Sequence, residues 1–114
     1  MYKIEEIQEN VILVKPEFNI ELEKLDIVNK MKEEVLSWVR SHENPVIILD
    51  LENCDFIDST GLGNLIRIYE NIRRKQGKFF AININENISN LFEITTLDNI
   101  IQCFDTLSEA KANI

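Results

Sequence analysis

A continuous, largely apolar run from Val46 to Leu51 constrains the fold of this chain more than any other segment. Such a run is typical of a strand buried on both faces of a sheet, because polar side chains do not alternate along it. Segments of helical periodicity lie on either side, with apolar residues at steps of three and four over Leu25–Val39 and Leu62–Ile72. The alternation of strands and helices predicts an α/β fold, in which helices pack on a mixed, mostly parallel sheet.

Shorter segments complete the pattern and predict one domain over the whole chain, residues 1–114, in the order β-β-α-β-α-β-α-β-α. A short helix is expected to start at Asn85 or Asn87, and a last helix to cover residues 105–110, where Thr106 and Glu109 have the spacing of a capping box. The other strands of a sheet of about five are predicted at residues 3–7 and 11–14, as a leading hairpin, and at 79–84 and 100–104.

The charge balance indicates the kind of partner. Twenty acidic against twelve basic side chains give a net charge of −8. Such a surface repels a phosphate backbone and an anionic membrane, so neither nucleic acid nor a membrane is expected as a partner. The expected partner is another protein. The densest basic run, Arg73–Lys75, falls in the last turn of the predicted second helix, where cations complement the helix dipole. Gly77 follows as the expected C-cap.

The sequence also predicts a cytoplasmic protein. No apolar run approaches the roughly 18 residues that a membrane-spanning helix needs. Residues 1–6 lack the basic-then-apolar layout of a secretory signal.

Cysteine and histidine offer little material for a metal site or a catalytic dyad. Cys54 and Cys103 lack zinc-type spacing and neighbour apolar residues, so we expect small core residues. His42 has no second histidine to act with. Asp58 has no catalytic partner in view, and the chain lacks the lysine of a GxxxxGK[ST] nucleotide loop. No catalytic residue, metal or cofactor is predicted, and the chain is not expected to be an enzyme.

The segment with the most chemical information is Asp50–Leu65, DLENCDFIDSTGLGNL, which joins the central strand to the second helix. In α/β sheets this edge faces ligands, and the N–H groups of a helix start favour a negative group. A hydroxyl at Ser59 could accept a phosphoryl group there, while Gly61 and Gly63 would let another backbone approach closely. On spacing alone, Asp58 and Ser59 are explained more simply as ordinary N-caps.

The motif favours a phosphorylation site over ordinary N-caps. The segment VIILDLENCDFIDSTGLGNL resembles the STAS domain family (sulfate transporter and anti-sigma factor antagonist) in its stand-alone bacterial antagonist form. Members show a D-S-[ST]-G-L-G-x-L segment, which residues 58–65 match throughout, and the resemblance covers essentially the whole chain. It implies that Ser59 is the phosphorylation site. The surrounding partner-binding residues that it implies are Asp58, Thr60, Gly61, Leu62, Asn64 and Asn19.

The resemblance further implies partner switching. The unmodified antagonist binds an anti-sigma factor that is also a serine kinase, and a sigma factor is released. Phosphorylation by that kinase, which brings its own ATP and Mg²⁺, ends the contact, and a serine phosphatase resets the protein. An alternative is a structural STAS subunit of a stress-sensing or lipid-transport complex that does not use Ser59. A receiver domain is disfavoured, because Val14-Lys15-Pro16 provides no acidic pair.

Two positions depart from the family pattern. Asn19 stands where many relatives have an Asp after the second strand, and an amide can hydrogen-bond but carries no charge. Thr96 replaces the usual Gly in the turn before the last strand, so the local backbone is expected to differ there.

Overall fold

Five strands form one mixed sheet whose spatial order follows the chain. In the computed structural model, which describes residues 1–114, the first two strands are antiparallel and every later neighbour is parallel. The strands are β1 (Tyr2–Gln8), β2 (Val11–Pro16), β3 (Val46–Asp50), β4 (Lys78–Ile82) and β5 (Gln102–Phe104). The predicted α/β fold with a mostly parallel five-stranded sheet is confirmed.

Four α-helices cover the two faces of the sheet: α1 (Leu25–Arg40), α2 (Ser59–Arg74), α3 (Glu86–Ile94) and α4 (Leu107–Lys111). The first three pack on one face around a core of 23 buried residues. The short α4 covers the other face, where six buried residues form a smaller cluster. This arrangement explains why β3 is apolar throughout: Ile47 and Leu49 point into the large core, while Val46 and Ile48 point into the small one.

Side-chain caps fix the starts of α3 and α4. The Oδ1 atom of Asn85 accepts a hydrogen bond from the N–H of Ile88 at 2.8 Å. The hydroxyl of Thr106 accepts one from the N–H of Glu109 at 3.2 Å. Both caps are those indicated by the sequence, since a short polar side chain satisfies an N–H group that the first turn leaves free.

The end of α2 corrects one expectation: Gly77 is not the residue with the left-handed backbone. Gln76 has the left-handed conformation, with φ 58°. The N–H of Gln76 donates a hydrogen bond to the carbonyl of Arg73, and the N–H of Gly77 donates one to the carbonyl of Ile72, each at 2.9 Å. This pair of bonds is a Schellman motif. Glycine is needed at 77 for a packing reason instead, because a Cβ there would lie 2.1 Å from the carbonyl oxygen of Pro45.

The turn before β5 keeps a backbone suited to glycine although Thr96 occupies it. Thr96 has φ 59° and ψ 18°, the left-handed conformation. Thr96 thus holds a conformation that glycine adopts without strain, and the expected difference in the local backbone stays a prediction. A β-branched residue holds this conformation at a cost of about 1–2 kcal/mol.

Candidate functional site

Ser59 is the first residue of α2 and its side chain is exposed to solvent. The loop of residues 51–58 brings it there from the carboxyl end of β3. A helix start has N–H groups without intrahelical partners, and the helix dipole places partial positive charge there. The position predicted from the sequence is thus an accessible hydroxyl at the start of a helix.

Asp58 caps this helix and ties it to the rest of the chain. Its Oδ1 atom accepts a hydrogen bond from the N–H of Gly61, and its Oδ2 atom accepts one from the N–H of Leu22, each at 2.9 Å. These two hydrogen bonds, the one from Gly61 first, hold the pKa of Asp58 below its ordinary value of 3.8. The carboxylate therefore acts as a structural clamp at the helix start and remains charged at neutral pH.

Removal of this clamp is expected to lower stability in a pH-dependent way. Asp58→Ala should reduce the free energy of unfolding at pH 7 by about 2 kcal/mol, roughly 1 for the cap and 1 for the second hydrogen bond. The pKa of Asp58 is lower in the folded than in the unfolded state. The carboxylate therefore contributes its full stabilisation at a pH above its unfolded-state pKa, and this contribution is lost as the pH falls through its folded-state pKa. Urea unfolding at pH 7 and at successively lower pH should show the variant approaching the wild type in acid.

A substitution elsewhere controls for general effects of charge. Glu93 is exposed on α3, outside this network, and Glu93→Gln should leave the free energy of unfolding within about 0.5 kcal/mol of the wild type. A difference between Asp58→Ala and wild type that persists unchanged in acid would contradict the role given to the carboxylate.

The two glycines of the motif have different surroundings. Gly61 is buried, and a Cβ there would lie 2.1 Å from the carbonyl oxygen of Ile20 and 2.8 Å from the Cγ2 atom of Ile57. Gly63 is exposed, and a Cβ there would meet nothing within 4 Å. The backbone that approaches Gly61 belongs to the chain itself, whereas Gly63 leaves an open approach from solvent.

The remaining sequence-predicted site residues differ in exposure. Thr60 and Leu62 are partly exposed beside Ser59. Asn64 is only 8% exposed, and its Nδ2 atom donates to the carbonyl of Thr60 at 3.0 Å. The buried side chain of Asn64 therefore stabilises the first turn of α2, and Ser59, Thr60 and Leu62 form the solvent-facing surface of this turn.

The loop before Ser59 is held from both sides at Asp55. The Oδ1 atom of Asn19 accepts a hydrogen bond from the N–H of Asp55 at 2.9 Å. The Nδ2 atom of Asn85 donates one to the backbone carbonyl of Asp55 at 3.0 Å. A parallel bridge between Ile20 and Ile57 continues this support toward the helix. Asn19 uses only its oxygen here, a function that the carboxylate of an Asp could also serve.

A second anchor holds the start of the same loop. Asp50 is 7% exposed and accepts hydrogen bonds from Nδ2 of Asn83 at 3.0 Å and from the N–H of Glu52 at 3.1 Å. The Nζ atom of Lys15 lies 4.0 Å from the Oδ2 atom of Asp50 and 2.8 Å from the Oε1 atom of Glu52. The loop that carries the motif thus begins and ends on hydrogen-bonded carboxylates.

Sequence reasoning missed an apolar surface beside the motif. Phe56, an apolar neighbour of Cys54 in the sequence, is 49% exposed, and Leu22 is 61% exposed. Phe56 borders a groove of about 270 Å³ against Leu91 of α3. The sequence gives only a weak indication that Phe56 is exposed: it follows the acidic Asp55 and lies in a loop, after the strand periodicity has ended.

Burial favours the protonated form of both cysteine thiols. Cys54 is buried, as predicted, and burial raises the pKa of its thiol. Cys103 is only partly buried, and burial raises its pKa to about 11. Both thiols are protonated at neutral pH and poor nucleophiles. No group of three or more potential ligand side chains is arranged to hold a metal ion, and none of the helices is long and apolar enough to traverse a bilayer.

Comparison with known proteins agrees with this fold and motif. Residues 24–110 match the STAS domain. An anti-sigma-B factor antagonist of Listeria monocytogenes is 30% identical over 70% of this chain and 70% of its own length. A crystal structure from Thermotoga maritima, described as that of a candidate anti-sigma factor antagonist, superposes with a TM-score of 0.84 at 28% identity, covering 100% of this chain and 92% of that one. The phosphorylated form of SpoIIAA from Bacillus superposes with a TM-score of 0.76 at 16% identity, covering 99% and 98%.

The fold and the site define an α/β protein in which the segment around Ser59 lies at a helix start beside a mostly parallel sheet. With the family match over residues 24–110, the chain belongs to the STAS domain family.

Proposed function

We propose that this chain is an anti-sigma factor antagonist that works as a phosphorylation-controlled protein-binding switch. The observation that carries the proposal is the exposed hydroxyl of Ser59 at the start of α2, within a motif that matches the family throughout. Relatives over most of the chain bear the antagonist name, and SpoIIAA, which shares the fold, is described in a phosphorylated form.

The contact surface that we propose is centred on Ser59. Thr60, Leu62 and Gly63 offer the surface of the first turn, and Phe56 extends it with exposed apolar area. Aromatic side chains are enriched at protein interfaces, and the exposed ring of Phe56 supplies one near Ser59. The other predicted partner-binding residues, Asp58, Gly61, Asn64 and Asn19, hold this surface in place through the contacts described above.

Phosphorylation of Ser59 would change this surface without changing the fold. A phosphate adds a charge of about −1.5 to −2 at neutral pH. The helix dipole and the free N–H groups of the first turn stabilise that charge in the free protein. In the complex the same charge must be desolvated, and it repels acidic groups of the partner, so the complex dissociates.

The partner in this proposal is an anti-sigma factor with serine kinase activity, which supplies ATP and Mg²⁺, and a serine phosphatase reverses the modification. The chain itself performs no catalysis, binds no cofactor and acts in the cytoplasm. Nucleic acid and membrane are not partners, in keeping with the net charge of −8.

Peptide mass spectrometry on the protein from its own host tests the proposal. We expect a phosphate on the peptide that contains Ser59, lost on phosphatase treatment and absent in Ser59→Ala. Thr60→Ala is the matched control and should retain the phosphate. A phosphate that disappears only in Thr60→Ala would reassign the site. An unmodified Ser59 under all growth conditions, in a stable large complex, would instead support a structural subunit of a stress-sensing or lipid-transport assembly.

A further inference from the structure

A basic groove runs between α1 and α2 on the side of these helices that faces solvent. Its volume is about 430 Å³. The charged residues that line it are Lys32, Glu33 and Arg40 of α1, and Arg67, Glu70 and Arg74 of α2. Cations thus outnumber anions at this groove by four to two, although acidic side chains outnumber basic ones in the chain by twenty to twelve.

The four cations have no ion-pair partner in the protein. The ion pairs of the chain within 4.0 Å are Lys15–Asp50, Lys15–Glu52 and Lys75–Glu43, and none involves the groove. Arg40 and Arg74 lie in the last turns of their helices and complement the dipoles there. That explanation does not extend to Lys32 and Arg67, which lie in the middle of α1 and α2.

The groove is separate from the proposed switch surface. Arg67 and Arg74 follow Ser59 by eight and fifteen residues on the same helix, which places them about 12 and 22 Å from it along the helix axis. A partner bound at the groove would therefore leave the exposed surface around Ser59 free.

We propose that this groove docks an acidic segment of a partner protein. The guanidinium groups of Arg40, Arg67 and Arg74 match carboxylates, which they bind through two parallel hydrogen bonds. Leu36, the apolar residue at the groove, is only 3% exposed and offers no deep apolar anchor. Binding is consequently electrostatic, rapid and sensitive to salt.

Charge and length favour an acidic protein segment over nucleic acid. From Lys32 to Arg40 the groove extends about 12 Å, enough for a few carboxylates. A duplex would also extend beyond the groove along a protein whose net charge of −8 repels its phosphates. A short acidic segment can confine its contacts to the groove, where cations outnumber anions.

Titration of the ¹⁵N-labelled protein with a short synthetic peptide rich in Glu tests the proposal. We expect shifts confined to amides of α1 and α2 around the groove, loss of these shifts at high salt, and none with the matching Gln peptide. The double variant Arg67→Gln/Arg74→Gln should weaken binding on the order of tenfold. Lys30→Gln/Lys111→Gln removes the same charge from exposed positions outside the groove and should change the affinity less than about twofold.

Several outcomes would overturn the proposal. Equal weakening in both double variants would assign the binding to net charge, and tighter binding of single-stranded DNA than of the Glu peptide would make nucleic acid the occupant. Concentration-dependent shifts at the groove without peptide would indicate a second copy of this chain. Ser59→Asp should leave the peptide affinity unchanged, so a large loss in that variant would refute a separate site while leaving the switch untouched.

Discussion

Replacement of Gly61 by alanine is expected to lower the free energy of unfolding by about 3 kcal/mol, whereas the same change at Gly63 is expected to raise it by up to about 1 kcal/mol. At Gly61 the new methyl group would overlap the carbonyl oxygen of Ile20, which is backbone and cannot rotate away. That carbonyl also accepts the N–H of Asp58 at 3.2 Å, so any relief moves the helix start. At Gly63 the methyl group enters open solvent, and alanine is the better helix former.

Urea unfolding of the two variants measures both effects, and each variant is the control for the other because both lie in the first turns of α2. A small effect of Gly61→Ala would contradict the close approach of the helix to Ile20. Gly63→Ala separates stability from binding: if a partner backbone approaches here, the variant should unfold like wild type or later and yet bind its anti-sigma factor more weakly. Retention of full affinity would exclude Gly63 from the contact.

Phosphorylation of Ser59 is expected to weaken binding to the cognate anti-sigma factor kinase at least about a hundredfold, which corresponds to about 2.7 kcal/mol. Ser59→Ala should remain bound in the presence of ATP, since it cannot be modified. Ser59→Asp should weaken binding less than the phosphate does, because it carries a single charge and fewer acceptor oxygens. Calorimetry or surface plasmon resonance with the purified kinase gives these affinities.

Ser108→Asp is the matched control for charge at a helix start. Ser108 is exposed in the first turn of α4, which lies on the other face of the sheet, so its replacement should leave kinase binding unchanged. Unfolding of Ser59→Asp should stay within about 0.5 kcal/mol of wild type, because the helix dipole offsets the repulsion from Asp58. Wild-type affinity of phosphorylated Ser59 would refute the switch.

The parts of the fold that the sequence predicted are those set by local patterns. The buried strand at Val46–Asp50, the periodicity of α1 and α2, and the caps Asn85 and Thr106 all depend on residues a few positions apart. The position of Ser59 at a helix start was predicted in the same way. Its role in binding rests on the family motif and stays a proposal.

The features that were missed depend on residues far apart in the chain. The need for glycine at 61 comes from Ile20, and that at 77 comes from Pro45. The basic groove exists only because α1 and α2 lie side by side, so no single segment of the sequence displays it. Tertiary contact, which periodicity and capping rules do not describe, determined each of these.

The support of Asp55 from Asn19 and Asn85 has a consequence for the energetics of association. An unsupported loop must be ordered when a complex forms, at a cost of about 1–2 kcal/mol for each backbone residue that is fixed. In this chain that ordering entropy is already lost on folding, so little of it opposes the encounter with a partner. A preorganised surface can then reach useful affinity with a small contact area. In the proposed switch, the charge of one added phosphate would then be enough to dissociate the complex.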